Sequence, residues 1–582
     1  MKKNLLSVFL LAGMYVTGFS QHNILSTNPL AQQILLGNYN PTTYLPTTVI
    51  NHPDTIIPQL TTQFSSDSLK SYLEVLSTFE NRNTASDTNS NVTGIGAARR
   101  WTYSKFEEIS AQNENRLIVS YLQFEEDVCN VMQHRNIFAV LPGTGPEHDE
   151  AILVEAHIDS RCDDACDTLC PAHGMEDNGS GSALVIELAR VLSQYSFNRS
   201  LVFMLTIGEE QGLYGGAAFS DYADSLGIKL RAVFNNDIVG GITCGNTASP
   251  PGCPGLNDID SLNVRMYSFG NFNSPHKSLA RFSKLEYQEN LKSIVAVPTN
   301  IALMTAEDRS GRGGDHIPFR QNGYFAVRFT SANEHGDGAP ITGYMDRQHT
   351  SDDLLGVDTD NDQIIDSFFV DFNYLKRNTM INANAIAMAA LGPITPENLT
   401  LSGVPGGIVV NITDTNNFNH YRVGIRSSTN DFDTITTVFN KIDTIWATPL
   451  NLIPALNYRI TVAAVDSNNI ESLFSVERMQ SFVDGIAETV KKSPVELLQN
   501  RPNPFDEATT VSVVVHEQFS YKKAEIRVTD LTGKLIKSLP IMLDGKVNEV
   551  NFFHGFNAAG MYNYSLVIDN EVIATKQMIF AY

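Results

Sequence analysis

Positive charge is scarce in this 582-residue chain: 41 Lys and Arg stand against 64 Asp and Glu, a net charge of −23. A surface this acidic repels phosphate backbones, which argues against sequence-independent nucleic-acid binding. Cysteine is sparse too. Six cysteines cannot staple a chain of this length, although their number is even and they cluster in two places. Long apolar runs are missing beyond the first twenty residues, and none reaches the roughly 18 residues a membrane span needs. What remains is ordinary globular material, 42% hydrophobic and 18% charged. At about 150 residues per domain, the length predicts three to four domains.

The N-terminus predicts export. Lys2 and Lys3 precede the apolar run Leu5 to Phe19, and Gly18-Phe19-Ser20 supplies small residues before Gln21. This is a signal-peptide layout over 1–20, and about 15 apolar residues are too few for a stable span. Residues 21–60, rich in Asn, Thr, Pro and Gln, read as an extended leader. The mature protein is therefore expected to be soluble, secreted or held at the cell surface.

From 61 to about 392, strands alternate with helices. Apolar spacing predicts helices from Ser66, from Ala97 to Ile109, from Asn178 to Tyr195 and from Leu213 to Leu226, with a closing helix over Phe368 to Leu391. Ile137 to Leu141, Ala151 to Ala156, Leu201 to Ile207, Ala232 to Val239 and Tyr324 to Thr330 read as strands. The pattern predicts an α/β domain with a mainly parallel mixed sheet between helices. After Gly392-Pro393, short alternating strands such as Ile408 to Ile412, Tyr421 to Arg426 and Tyr458 to Val465 predict an all-β sandwich over 393–483. A linker over 484–494 and a second all-β sandwich over 495–582 complete the expected organisation.

Acidic residues and histidines stand where the apolar strands of the α/β domain end. AILVEAHID closes on His157 and Asp159, LVFMLTIGEE on Glu209 and Glu210, and AVFNNDIVG carries Asp237. GMEDNGSGSA places Asp177 before a helix, and QHTSDD brings His349. In open α/β sheets the carboxyl ends of strands border the ligand crevice. Each residue alone has an ordinary explanation: a hydrogen-bonded core histidine, a solvated acidic strand end, an acid at a helix N-terminus. Together, two imidazoles and several carboxylates form a donor set suited to a pair of zinc ions with open positions. One member of the Glu-Glu pair is then left to carry a proton.

In order, His157-x-Asp159, Glu176-Asp177-Asn178-Gly179, Gly208-Glu209-Glu210, Asp237, Gly314-Asp315-His316-Ile317-Pro318-Phe319 and His349-Thr350 resemble the co-catalytic zinc exopeptidases. This is the family of bacterial leucyl aminopeptidases and glutamate carboxypeptidase, peptidase family M28. The resemblance covers about 330 residues. It implies that His157 and Asp237 bind one zinc, Glu210 and His349 the other, and that Asp177 bridges both. It also implies Glu209 as general base and then general acid, and Asp159 as the residue orienting His157. Asp315 and His316 are expected to shape the pocket. The implied activity is hydrolysis of terminal peptide bonds, in aminopeptidase fashion. A glutaminyl-cyclase-like transferase with one zinc, a carboxypeptidase of the same family and a non-catalytic adhesin are the competing readings.

Two further resemblances concern the β modules. Leu452-Ile453-Pro454 followed by Tyr458 is similar to the tyrosine corner of fibronectin type III domains. Gln499, Asn500, Pro502, Asn503, Pro504 and Phe505, then Asp530, Gly533, Gly560, Tyr562 and Lys576, resemble the C-terminal sorting domain of the type IX secretion system. That likeness implies a secretion machinery as partner besides the peptide or protein substrate.

Three smaller expectations follow. In an exported chain the cysteines favour disulfides. Three in one loop, Cys162, Cys166 and Cys170, cannot pair among themselves, so one is expected to meet Cys129, and Cys244 to pair with Cys253. Asp358, Asp360, Asp362 and Asp366 alternate like the oxygen ligands of a calcium loop, although Gln363 stands at the usual Gly turn. Arg312, Arg320 and Arg328 are candidates to read a substrate carboxylate.

Overall fold

A computed structural model describes residues 22–581, apart from 245–252, 254, 256, 272, 310–311, 333–346, 428, 484–493, 532, 554 and 556–558. The expected signal segment and nearly all of the expected linker lie outside the described residues.

Nine strands form the central sheet. In chain order they are β1 (His22–Ser26), β2 (Ile118–Val128), β3 (Val131–Leu141), β4 (Glu150–His157), β5 (Ser200–Thr206), β6 (Lys229–Asn236), β7 (Asn263–Ser268), β8 (Asn300–Leu303) and β9 (Ala326–Ser331). Their spatial order is β1-β2-β3-β5-β4-β6-β9-β7-β8. Pairing is parallel across β5-β4-β6-β9 and for β7-β8, and antiparallel for the other neighbours. The expectation of a mainly parallel sheet is therefore corrected: a parallel centre is flanked by antiparallel strands. Every residue of β4, β5 and β9 is buried, as expected where helices cover both faces. Near their hairpin the flanking β2 and β3 alternate buried and more exposed side chains, which apolar runs alone do not reveal.

The helices are α1 (Pro29–Leu35), α2 (Pro53–Gln63), α3 (Ser66–Ser77), α4 (Gly94–Gln112), α5 (Gly181–Leu192), α6 (Glu209–Gly212), α7 (Tyr214–Leu226), α8 (Pro275–Glu286), α9 (His316–Gln321) and α10 (Phe372–Leu391). Residues 21–60 are thus no extended leader. They supply the edge strand β1 and two helices, whose Ala31, Ile34, Ile56 and Leu60 are fully buried. Burying each such side chain contributes about 1.5–3 kcal/mol, which holds this polar segment on the domain. α5 starts at Gly181, because Asp177 (φ −107°, ψ 95°) and Asn178 (φ −129°, ψ 52°) are not helical. α10 is capped by Asp371, whose side chain accepts from the Tyr374 N–H at 2.7 Å. Among the described residues no helix is long and apolar enough to cross a membrane.

Beyond Gly392 the chain forms four further sheets. Leu399–Val404, Gly407–Ile412 and Ile442–Trp446 form one. Thr434–Val438, His420–Arg426, Tyr458–Val465 and Arg478–Gln480 form the next, and the two share one core. Tyr458 is fully buried, and its hydroxyl accepts from the Ile453 N–H at 2.7 Å, a tyrosine-corner bond. The last region repeats the three-plus-four arrangement with its own core. There the Asn500 side chain donates to Thr509 Oγ1 at 2.9 Å and Phe505 packs on Phe552 and Phe580.

Both modules lean on α8. The side chains of Lys277, Arg281 and Lys284 are buried although all three are cationic. Arg281 lies 3.0 Å from Glu477, which also receives a two-pronged bond from Arg426 at 2.6 Å. Lys284 lies 2.6 Å from Asp431 and 2.9 Å from Asp506 of the last module.

Candidate metal centre

The candidate residues gather outside the carboxyl ends of β4, β5 and β6, where successive crossovers run to opposite sides of β4. His157 ends β4. Gly208, at φ 77°, turns the chain after β5 so that Glu209 and Glu210 open α6. Asp237 follows β6, and Asp177 sits in the irregular turn before α5. His349 adopts φ 59°, a left-handed conformation uncommon for a non-glycine residue, and its ring faces the same point.

The structure brings all seven predicted residues together. His157 Nε2 lies 3.1 Å from Asp177 Oδ1, 3.6 Å from Asp237 Oδ1 and 4.0 Å from Glu209 Oε2. His349 Nε2 lies 3.2 Å from Asp177 Oδ2 and 3.1 Å from Glu210 Oε2. Asp177 therefore turns one oxygen to each histidine. Four donors about 2.0–2.1 Å from a tetrahedral zinc ion stand roughly 3.3 Å apart. The spacings found here match that edge. His157 Nε2 and Glu210 Oε1 are buried without a hydrogen-bond partner, as ligand atoms aimed at a cation would be.

Electrostatics point the same way. Burial opposes protonation of His157, yet the negative charges of Glu209, Asp159, Asp177 and Asp237 push its pKa well above the usual imidazole value. Burial raises Asp177, but its bonds to His157 and His349 prevail and hold it well below the usual carboxylate range. Glu209 is pushed well above that range by burial, reinforced by Asp237 and Glu210 and countered by His157. A cluster that attracts protons so strongly attracts divalent cations for the same reason.

Surrounding residues hold these groups in place. His157 Nδ1 lies 3.1 Å from the Asp159 backbone oxygen and 3.6 Å from its carboxylate. Asp159 Oδ2 accepts from Thr84 Oγ1 at 3.0 Å and the Glu210 N–H at 3.3 Å, tying the end of β4 to the Glu209-Glu210 turn. Asp353 accepts from the N–H groups of Glu176 and Asp177, both at 2.9 Å. Arg82, fully buried, donates to the backbone oxygens of Ile158, His173 and Gly174, joining the His157 and Asp177 loops. Sequence reasoning missed Thr84, Arg82 and Asp353; none stands at the end of an apolar run.

The arginines are largely reassigned. Arg328 donates to the Asp237 backbone oxygen at 2.6 Å and lies 3.1 Å from its carboxylate, so it steadies a candidate ligand rather than reading substrate. Burial raises Asp237, but Arg328 and His157 together prevail and keep it below its usual pKa. Arg320 pairs with Glu307 and stacks on Phe269. Arg312 does line the open cleft above the centre, with Arg309, Gln211, Gly212 and Leu213. Asp315 is buried and receives the Thr206 hydroxyl, and His316 is fully buried.

Disulfides join Cys129 to Cys166, Cys162 to Cys170 and Cys244 to Cys253, in line with the pairing expected. Asp358, Asp360 and Asp366 also come together, on the surface. Both Asp358 oxygens accept N–H groups of their own loop, from Asn361 and Gln363 at 2.7 Å each, so the turn closes without an ion.

The fold and this donor set define a metallopeptidase, and comparison with known proteins agrees. Residues 136–371 match peptidase family M28. A probable zinc metalloprotease of Leptosphaeria maculans is 29% identical over 363 residues, covering 60% of this chain and 80% of that protein. Among solved structures, the LapA aminopeptidase of Legionella pneumophila is similar at 17% identity and a TM-score of 0.40, over 59% of this chain and 77% of that one. The glutaminyl cyclase of Porphyromonas gingivalis is similar at 20% identity and a TM-score of 0.36, over 56% and 98%. At those scores neither structure bears on activity. The α/β domain is similar to peptidase family M28 over residues 136–371, and the chain is a zinc-dependent metallopeptidase. The relatives of Leptosphaeria maculans and Pyrenophora tritici-repentis are fungal, whereas the motif order resembles that of bacterial leucyl aminopeptidases.

Proposed function

We propose that this chain is an exported di-zinc exopeptidase acting on the amino termini of peptides. The observation that carries the reading is Asp177, whose two oxygens face two histidines from opposite ends of the domain. His157 and Asp237 would hold one zinc, Glu210 and His349 the other, and Asp177 both. Zinc bound there supplies Lewis acidity toward a peptide carbonyl and toward water. Glu209 is buried beside the cluster. It takes the proton of the attacking water and returns it to the leaving amine. Asp159, Thr84 and Arg328 keep the ligands aimed.

Cleavage of a peptide library with and without chelator, read by mass spectrometry, tests reaction and polarity together. Trimming from the amino end that stops with chelator is expected. Trimming from the carboxyl end would replace the aminopeptidase reading with the carboxypeptidase one. Glu209→Gln is expected to keep bound metal while losing about 10²–10⁴ of turnover; near-normal activity would remove Glu209 from its role.

A one-zinc, glutaminyl-cyclase-like transferase is the second reading, and the presence of both His157 and Asp237 counts against it. Product analysis on peptides with N-terminal Gln separates the two. The proposal extends to the modules. Residues 393–483 would be a fibronectin type III-like accessory domain and 495–582 a type IX sorting domain that directs export to the cell surface. The tyrosine-corner bond supports the first, and the buried Asn500 and Phe505 of the matching motif support the second.

A further inference from the structure

A second cavity opens where α8 meets the sandwich. Leu279 and Phe282 of α8, Leu473 and Phe474 of the sandwich and Pro396 of the chain joining the two regions line about 320 Å³ of space. No residue lines both this cavity and the cleft above the metal centre. Phe282 is fully buried, and Leu279 and Phe474 nearly so, which makes the interior apolar. The volume lies at the small end of the range of about 300–1,000 Å³ found for ligand pockets.

Three polar residues interrupt this lining. Ser278 of α8 is buried, and its hydroxyl has no hydrogen-bond partner among the described residues. A buried hydroxyl left so is costly unless a bound molecule or a water it traps completes it. The other two, Arg478 and Glu397, are exposed and stand where the cavity meets solvent. Arg478 donates its Nε–H to the Leu399 backbone oxygen at 3.4 Å, and its terminal nitrogens meet no acceptor among the described residues. The Glu397 N–H donates to Asp414 Oδ2 at 2.9 Å, which fixes the backbone, while its carboxylate enters no ion pair among the described residues. Arg231, at the same opening, is already held by Glu150.

The two open charges select the ligand. A fatty acid or other lone anion would gain Arg478 but stand beside Glu397, and a lone amine would meet the reverse conflict. A zwitterion answers both signs, and an apolar side chain displaces water from the space beneath. The geometry points to a binding site for a free amino acid with a large apolar side chain, its carboxylate on Arg478, its ammonium on Glu397 and its side chain between α8 and the sandwich. Bound there, the amino acid ties the α/β domain to the sandwich. The site needs no metal and stands independently of the exopeptidase reading, under which such amino acids are what the enzyme releases.

The test is calorimetric titration of the full chain with L-phenylalanine, after stripping by chelator so that the metal centre holds no ion. One molecule per chain is expected to bind and to raise the melting temperature. Arg478→Gln and Glu397→Gln, both at exposed positions, are each expected to weaken binding about tenfold or more. Hydrocinnamate and phenethylamine each lack one charge, and glycine lacks the side chain; all three are expected to bind the unaltered chain more weakly by a similar factor. Failure of L-phenylalanine to bind would overturn the proposal. So would binding that either variant leaves unchanged, because the ligand would then sit elsewhere. Hydrocinnamate, phenethylamine or glycine binding as tightly as L-phenylalanine would overturn it too, since one charge or the apolar cavity would be idle.

Discussion

Asp159 shows how much one carboxylate can do without meeting substrate. Its main-chain oxygen faces the His157 ring, and its side chain gathers Thr84 and the N–H of Glu210. Asp159→Ala is expected to weaken zinc binding by about 10–100-fold, measured by competition with a chelating dye, because both imidazole and glutamate lose their aim. The pH response of His157 can be signed. Its pKa is raised in the folded, cation-free protein, so its contribution to stability is complete below about 6.5, the unfolded value, and is lost as pH climbs through the higher folded value. Calorimetry of the stripped protein should show the melting temperature falling over that climb, while apparent zinc affinity rises as the competing proton leaves. A melting temperature that rose instead would contradict the assignment. His157, Asp159, Glu209, Glu210 and Asp237 were legible in the sequence because a titratable side chain ending an apolar strand is locally conspicuous, and Asp177 and His349 through the order of the motifs. Arg82 and Thr84 were not legible, since their roles depend on segments distant in sequence. Arg328 was legible as a charge, expected either in solvent or on a substrate carboxylate, and only the fold shows it turned onto Asp237.

At the scale of elements, the loop between Cys162 and Cys170 is the least conventional piece. It lacks regular structure and sits against the cleft, so its shape depends on two bridges. Replacing both Cys162 and Cys170 by Ala opens a loop with a sequence separation of 8 and is expected to cost about 2–3 kcal/mol, read from urea unfolding. The buried strands β4 and β5 and the helix α5 were legible because continuous or periodic apolar runs have few other solutions. The segment 21–60 was not. Its helices bury only three apolar residues each and α2 carries Pro58 inside, so the periodicity is too short to register. The antiparallel flank was equally hidden, since strand direction depends on connections and not on the composition of a run.

At the scale of the molecule, α8 is where the three folded regions meet. Glu477 forms ion pairs with two buried arginines, one on each side of the junction. Glu477→Ala leaves both uncompensated and is expected to cost about 3–5 kcal/mol, visible as a lower denaturant midpoint. The same geometry has a practical consequence for anyone trimming the protein to its catalytic portion. Lys277, Arg281 and Lys284 recur at helical spacing on one side of α8, and the removed modules would carry off the acids that cover Arg281 and Lys284. A shortened enzyme would then wear a bare cationic stripe on an otherwise anionic body, and would cling to polyanions and to its own neighbours.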